Sequence, residues 1–307
     1  MKNVSLSTVW NASLVRDAQT LVAQVHVAGF SRVELGFSLS ESMVRDIAVL
    51  CDQGHISVSS VHNFCPVPSG YAPERFFPDT FSLASTNAQE RAMAVTLTKK
   101  SVETAQRVGA RALVVHAGRV EIASRMKELV LLVDQGGSGS PRYQTILSEM
   151  RQMRDEQKGP HLEAVVRSLE ELLPSAQQAD VTLCLETRYY FREIPCLEEF
   201  DMIFKALGNP PGLGYWHDVG HAQTAENLGI YSHDEILSRY GGKMLGMHLH
   251  DVVGGHDHQV PGRGRFDFRR ILPWLKKDAV IKVLEVHPPA SAAELQGAAE
   301  FLDNLSE

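Results

Sequence analysis

The sequence predicts an α/β fold consisting of one TIM barrel, in which eight parallel strands alternate with helices. Eight short β-rich runs recur along the 307 residues, with amphipathic helical periods between them. Several of these runs are almost continuously apolar, as is typical of parallel strands buried on both faces. Most of the polar strand ends recur about every 30 residues, the length of one strand–helix unit. Together these observations favour a single closed barrel.

The predicted elements follow one another along the chain. The strand candidates centre near residues 6, 34, 59, 115, 184, 216, 247 and 284. Between them, apolar residues spaced by three or four positions predict helices that include 14–28, 88–105 and 162–176. Gly29, Gly54 and Gly109 follow predicted helix ends, where a left-handed cap favours glycine.

Two connections are longer than the basic repeat, which predicts insertions after the third and fourth strands. They span roughly residues 66–87 and 121–159 of the single domain 1–307. Insertions that follow barrel strands lie on the C-terminal rim and often cover a site there. The alternative fold is an open, doubly wound sheet. That fold normally carries a glycine-rich phosphate-binding loop after an early strand, and this sequence has none there.

The composition is that of an ordinary globular protein, with 44% hydrophobic and 22% charged residues. The net charge of −7 argues against nucleic acid as the default partner. The four cysteines form no CxxC pair and predict reduced thiols and a cytoplasmic location. We expect no signal peptide and no membrane span, because no sufficiently long apolar run occurs. A homo-oligomer is compatible with the sequence.

Six strand candidates end in side chains that can bind a metal. These are His62, His116, Glu186, Asp218, His250 and Glu285. Because the C-terminal ends of parallel barrel strands meet at one mouth, residues far apart in sequence converge there. A carboxylate inside an apolar strand costs several kcal/mol unless it is paired or metal-bound. The pattern therefore predicts a divalent cation of the Mn, Zn, Co or Mg type.

Each of these residues also has a purely structural interpretation. A lone histidine at a strand end is usually a hydrogen-bonded packing residue. His248 shares the predicted strand face of His250 and is either a packed core residue or part of the barrel lining below a metal. Glu34 either binds a sugar hydroxyl or anchors the barrel mouth. The segment "GGHDH", with His256 and His258, is either a solvated loop or a source of further ligands.

Motifs along nearly the whole chain carry a family resemblance. They are "VELGF", "SVHNFCP", "ETAQRVGARALVVHAG", "LCLETRYY", "GYWHDVGHA", "GMHLHD", "VPGRGRFDF" and "VLEVHP". In this order and spacing, the sequence resembles the xylose isomerase-like TIM-barrel superfamily. That superfamily includes sugar and sugar-phosphate isomerases and epimerases, inosose dehydratases and apurinic-site endonucleases.

The resemblance implies a metal site formed by Glu186, Asp218, His250 and Glu285. In the keto-sugar epimerases that the chain resembles, the two metal-bound glutamates also move the substrate proton. This implies catalytic roles for Glu186 and Glu285 on opposite faces of a small sugar or polyol, through an enediolate. His221, three residues after the metal aspartate, would contact substrate or a further metal. An inosose-type dehydratase would share the first step.

The apurinic-site endonucleases imply a second function, phosphodiester hydrolysis with three zinc ions. Their additional ligands correspond to His62, His116, His221, His256 and His258. Those enzymes carry an aspartate at the position of His256, which weakens the match. A third hypothesis, a non-catalytic metal- or sugar-binding barrel, requires the buried glutamates to be purely structural.

Further residues are candidates for substrate binding. Besides Glu34, they are His62, His116, Arg188, His221, His258 and Arg263. Arg188 would clamp a phosphate or carboxylate in a bidentate way, or else pair with Glu193. Arg263 and Arg265 would either bind an anionic substrate or face solvent. Trp216 and the aromatic run 189–191 either wall the cavity or pack in the core.

Overall fold

The chain closes eight parallel strands into a barrel, seen in a computed structural model that describes residues 4–306. The strands are β1 (Val4–Ser7), β2 (Arg32–Leu35), β3 (Ser57–His62), β4 (Ala112–Val115), β5 (Thr182–Glu186), β6 (Leu213–Asp218), β7 (Met244–Leu249) and β8 (Ile281–Leu284). Their order around the barrel follows the chain, and β8 pairs with β1, with Ser5 opposite Val283. This closure confirms the predicted TIM barrel and excludes the open sheet.

Helices connect the strands on the outside of the barrel. They are α1 (Ala18–Val27), α2 (Glu41–Asp52), α3 (Ala88–Arg107), α4 (Met126–Asp134), α5 (Pro141–Gln178), α6 (Leu197–Ala206), α7 (Val219–Asn227), α8 (His233–Tyr240), α9 (Leu272–Leu275) and α10 (Ala292–Ser306). Side chains of Asp17 and Asn87 cap α1 and α3 by accepting backbone N–H bonds. Gly29, Gly54 and Gly109 have φ values of 86°, 75° and 70°, so the predicted left-handed caps are present.

The two long connections differ in character. Residues 66–87 form an irregular segment with one short 3₁₀ turn between β3 and α3. Residues 121–159 contain α4 and the first half of α5. The helix predicted over 162–176 therefore begins earlier, at Pro141, where Ser140 accepts a hydrogen bond from Tyr143 N. No helix within residues 4–306 combines the length and apolar character that a membrane span requires.

Two short antiparallel pairs follow the C-terminal ends of the barrel strands. In the first ribbon, Gly118–Arg119 pairs with Glu193–Ile194, which joins the segments after β4 and β5. In the second ribbon, Asp251–Val253 pairs with His256–Gln259 in the segment after β7. The first ribbon joins two connections, and the second lies within one, at the end of the barrel where the strand-end residues gather.

The barrel interior contains a matched large and small pair. Trp216 on β6 is fully buried, and its partner in the register with β7 is Gly246. A Cβ atom at position 246 would lie 2.2 Å from Cζ3 of Trp216, well inside contact distance. Only glycine at this position lets the indole ring lie across the neighbouring strand.

We therefore expect Gly246→Ala to lower the free energy of unfolding by about 1–3 kcal/mol, the usual cost of overpacking a core. Urea denaturation followed by circular dichroism measures this. Gly297→Ala is the matched control, because an added Cβ there meets nothing within 4 Å and the residue lies in α10. The control is expected to keep or raise stability, by up to about 1 kcal/mol. Equal stability of both variants would contradict the packing argument.

Candidate active site

The predicted strand-end residues meet at the C-terminal mouth of the barrel, around a cavity of about 520 Å³. Seven of the proposed ligand and substrate-binding residues line it: His62, His116, Glu186, Arg188, His221, His258 and Glu285. The inner ones among them are almost completely buried; Glu186 and Glu285 are 1% and 4% exposed. The structure thus gathers side chains from β3, β4, β5, α7, the second ribbon and β8.

A four-residue cluster forms the floor of this cavity. Glu186, Asp218, His248 and Glu285 place one ligand atom each within 4.8 Å of one another. The Nδ1 atom of His248 lies 2.8 Å from Glu186 Oε1 and 3.1 Å from Glu285 Oε2. The same atom is 3.4 Å from Asp218 Oδ2. One imidazole nitrogen therefore stands at the centre of three carboxylates.

The histidine in this cluster differs from the predicted one. The sequence assigned His250 as the fourth ligand, but the structure places His248 there. His248 lies inside β7, whereas His250 follows the last residue of the strand. The Nδ1 atom of His250 accepts a hydrogen bond from His258 N at 2.8 Å, which turns its ring toward the second ribbon. Its Nε2 atom still lies 2.9 Å from Asp218 Oδ1, so His250 is a neighbour of the cluster.

Glu34 lies beneath the cluster and does not line the cavity. Its carboxylate is fully buried and lies 2.9 Å from Nε2 of His248. The hydroxyl of Ser60 donates to its other oxygen at 2.7 Å. The structure therefore favours the anchoring role for Glu34. By holding one nitrogen of His248, the carboxylate orients the other nitrogen toward the three carboxylates above.

A second cluster contains His62, His116 and Glu186. Nε2 of His116 lies 2.7 Å from Glu186 Oε2, and Nε2 of His62 lies 3.7 Å from the same oxygen. Glu186 therefore belongs to both clusters. The Nδ1 atom of His116 lies 3.1 Å from Asp79 Oδ1. Sequence reasoning missed Asp79, because residues 66–87 carry no periodic pattern that would indicate which side chain turns inward.

A third cluster contains His221, His250 and His258. Asp218 caps α7 by accepting a bond from His221 N at 2.6 Å, which fixes this histidine beside the first cluster. His256, an expected additional ligand, lies elsewhere: it is 68% exposed and 3.3 Å from Asp134. The physical reason is the backbone at His258, whose φ of 56° interrupts strand alternation, so that His258 and His256 face different ways.

Each arginine that was predicted to bind anions either forms ion pairs with glutamates or is exposed to solvent. Arg188 lines the cavity, but its guanidinium donates to Glu186 at 3.2 Å and Glu193 at 2.9 Å. Arg263 is exposed and pairs with Glu294, and Arg265 is also exposed. The structure therefore places Arg263 away from the cavity.

The aromatic candidates divide between the cavity and the core. Tyr189 and Tyr190 line the cavity, whereas Phe191 packs in a buried cluster with residues of α4 and α5. Trp216 is a core residue of the barrel interior. Residues 189–191 thus contribute both to the cavity wall and to the core.

The carboxylates of the four-residue cluster are ionised at neutral pH. Burial raises the pKa of a carboxyl group, but His116 and other histidines outweigh burial at Glu186 and hold its pKa well below its usual value. His248 has the same effect on the pKa of Glu285. Neighbouring histidines likewise lower the pKa of Asp218. Ionised carboxylates next to imidazoles form a donor set that fits a divalent cation of the Mn, Zn, Co or Mg type.

Comparison with known proteins identifies the family. A family model described as "Xylose isomerase-like TIM barrel" matches residues 22–305. The chain belongs to this family. No curated protein matches the sequence significantly.

Several solved structures share the fold of the whole chain. An L-ribulose 3-epimerase superimposes with a TM-score of 0.71 and 14% identity, covering 100% of this chain and 95% of the other. A D-psicose 3-epimerase from Clostridium cellulolyticum H10, solved with D-tagatose, gives 0.66 and 14% over 99% of each chain. The IOLI protein with a bound zinc atom gives 0.66 and 15%, over 99% and 98%. At this identity the likeness establishes the fold.

Asp79 allows a direct test of whether the second cluster binds a cation. Because the Asp79 carboxylate holds Nδ1 of His116, replacing it with a neutral amide would remove the ion pair that fixes this side of the ring. We expect Asp79→Asn to weaken zinc binding at that cluster by about 10- to 100-fold, measured by isothermal titration calorimetry. Asp46→Asn, an exposed aspartate paired with Arg45, is expected to leave the isotherm unchanged. An unchanged isotherm in Asp79→Asn would remove the assigned positioning role.

Proposed function

We propose that this protein is a divalent-metal-dependent isomerase or epimerase of a sugar, sugar phosphate or similar polyol. Proton transfer by Glu186 and Glu285 is its central step. One observation carries the proposal: both glutamates line the cavity, while Asp218 and His248 of the same cluster do not. The site therefore has two carboxylates that reach a ligand and two further groups that complete a cation site beneath it.

The positions of the two glutamates suit opposite sides of one substrate. Glu186 ends β5 and Glu285 follows β8, so β6 and β7 stand between them in the ring of strands. A bound cation would supply positive charge that stabilises negative charge developing on the substrate oxygens. Glu186 would then take the proton from the carbon next to a carbonyl, and Glu285, in the turnover where it carries a proton taken from solvent, would deliver that proton from the other side. Glu186 would end protonated and Glu285 ionised, and release of the Glu186 proton to solvent would restore the pair. The reverse assignment of the two roles uses the same geometry.

Neighbouring side chains would orient the reacting groups. Arg188 and His116 both contact Glu186 and hold its carboxylate in one position. His221 and His258 line the cavity and would bind substrate hydroxyl groups. The same proton abstraction followed by loss of a β-hydroxyl as water gives the inosose-type dehydratase, which remains the alternative within this mechanism.

The comparisons support this proposal in a general way. The structural relatives include 3-epimerases of ribulose and psicose and a zinc-bound protein. A monosaccharide-sized substrate, a divalent metal and isomerase chemistry follow from those names by analogy. The free thiols of all four cysteines support a cytoplasmic location as part of the proposal.

A second function, phosphodiester hydrolysis, is favoured by the second and third clusters. Isomerisation with one cation needs only the four-residue cluster, yet His62, His116, His221 and His258 also converge on the cavity. Two or three cations there would activate water and neutralise phosphate charge. The net charge of −7 and the exposed position of His256 disfavour nucleic acid as the substrate. Neither of these two observations argues against a small phosphodiester as the substrate.

Glutamine substitutions test the proton-transfer roles. We expect Glu186→Gln and Glu285→Gln each to lower the rate of deuterium exchange at the reacting carbon by about 10²- to 10⁴-fold. Incubation with a panel of ketoses in deuterated water, followed by NMR, measures this exchange. Glu300→Gln, an exposed glutamate on α10, is the control and is expected to retain the full rate. Full activity of Glu285→Gln on the true substrate would disprove its assigned role.

Metal content separates the two candidate functions. Protein purified without chelator is expected to contain about one divalent cation per chain if isomerisation is correct, and about two or three if hydrolysis is correct. Elemental analysis by mass spectrometry, before and after dialysis against a chelator, gives the number of cations per chain. Wild-type protein that contains no cation and stays active would contradict both functions.

A further inference from the structure

A second cavity of about 590 Å³ adjoins the candidate active site. Tyr189, Tyr190 and Asp257 line both cavities, so the two are neighbours that share these three residues. The second cavity lies between them and α4. Pockets of roughly 300–1,000 Å³ hold ligands of drug size. The second cavity is therefore large enough for a ligand group of its own.

An aromatic path leads from the clusters into this second cavity. The ring of His221 lies 5.1 Å from that of Tyr189, which in turn lies 4.6 Å from the ring of Tyr190. His221 belongs to the third cluster and is buried, whereas Tyr190 is 40% exposed. A ligand that extends outward from the clusters would therefore pass along this row of rings.

The α4 side of this cavity combines apolar and charged residues. Met126, Val130 and Leu131 form its apolar part, Lys127 and Asp134 also line it, and Leu131 is 56% exposed. Single exposed apolar residues are ordinary on protein surfaces. Here an exposed leucine and an exposed tyrosine line the same cavity, which shares three lining residues with a buried charged site. That arrangement suits a flat apolar group held between two walls.

The α4 wall is held firmly in place. Met126 and Leu129 are buried against Tyr143, Ile146 and Met150 of α5. A Cβ atom at Gly255 in the second ribbon would lie 2.7 Å from Val130, so glycine permits close packing of this ribbon against α4. The cavity is thus part of the packed structure.

We propose that this cavity is a second substrate subsite that binds a planar aromatic group attached to the sugar. The substrate is then an aryl conjugate of a sugar or polyol. Its sugar part reaches the four-residue cluster, and its ring lies between Tyr190 and Leu131. The inference rests on the proposed function for the sugar part, but the aromatic subsite depends only on the walls described above.

Equilibrium binding tests the subsite without turnover. Metal-containing protein is titrated by calorimetry with methyl and phenyl glycosides of glucose, xylose and ribose. We expect the phenyl compound of at least one pair to bind at least tenfold more tightly than its methyl counterpart. Tyr190→Ala and Leu131→Ala are expected to abolish this preference.

Two control variants remove similarly exposed side chains elsewhere. Tyr71→Ala and Leu14→Ala, at residues that are 45% and 65% exposed, are expected to keep the preference. Equal binding or no binding of phenyl and methyl compounds in every pair would overturn the subsite. A preference that survives both Tyr190→Ala and Leu131→Ala would overturn it as well.

The outcomes also separate the subsite from the proposed function. If phenyl glycosides bind preferentially but no sugar or glycoside exchanges deuterium, the isomerase proposal fails and the subsite stands. If free ketoses exchange deuterium but no pair shows a phenyl preference, the isomerase proposal stands and the subsite fails.

Discussion

The concentration of negative charge in one buried place is the constraint on which the rest of the site depends. Glu186, Asp218 and Glu285 all lie within 4.8 Å of His248 ligand atoms and are almost completely excluded from solvent. Three ionised carboxylates in such a space repel one another and lose hydration, at several kcal/mol each. A barrel can tolerate this arrangement only where cationic or imidazole groups offset the negative charge. Several such groups lie at the C-terminal mouth of this barrel.

The compensating groups form a layered network around the carboxylates. Glu34 below holds His248, and Asp79 above holds His116. At the side, Arg188 bridges Glu186 and Glu193 of the first ribbon. The connections after β3 and β5 are thus attached electrostatically to groups that contact Glu186. The irregular rim segments are therefore placed by the same charges that define the site.

The sequence predicts the barrel and most residues of the candidate site, because the pattern of apolar runs indicates where the strands end. It assigned His250, and not His248, to the four-residue cluster, because residues two apart share a strand face and only the end of β7 separates their positions. It also treated His256 and His258 alike, because the left-handed backbone at His258 leaves no trace in composition. Asp79 was not predicted for a different reason. It contacts His116, which lies 37 residues further along the chain, and Asp79 itself lies in a segment without regular structure.

Glu186 has a consequence that extends beyond its own contacts. Since one carboxylate contributes to the four-residue cluster and also to the cluster of His62 and His116, the two are a single thermodynamic unit. A cation bound at one cluster would change the affinity of the other cluster, and linkage requires that the effect in the reverse direction has the same factor. Cation loading of this barrel would therefore follow a cooperative or anticooperative isotherm, and the occupancy of one cluster would report on the state of its neighbour.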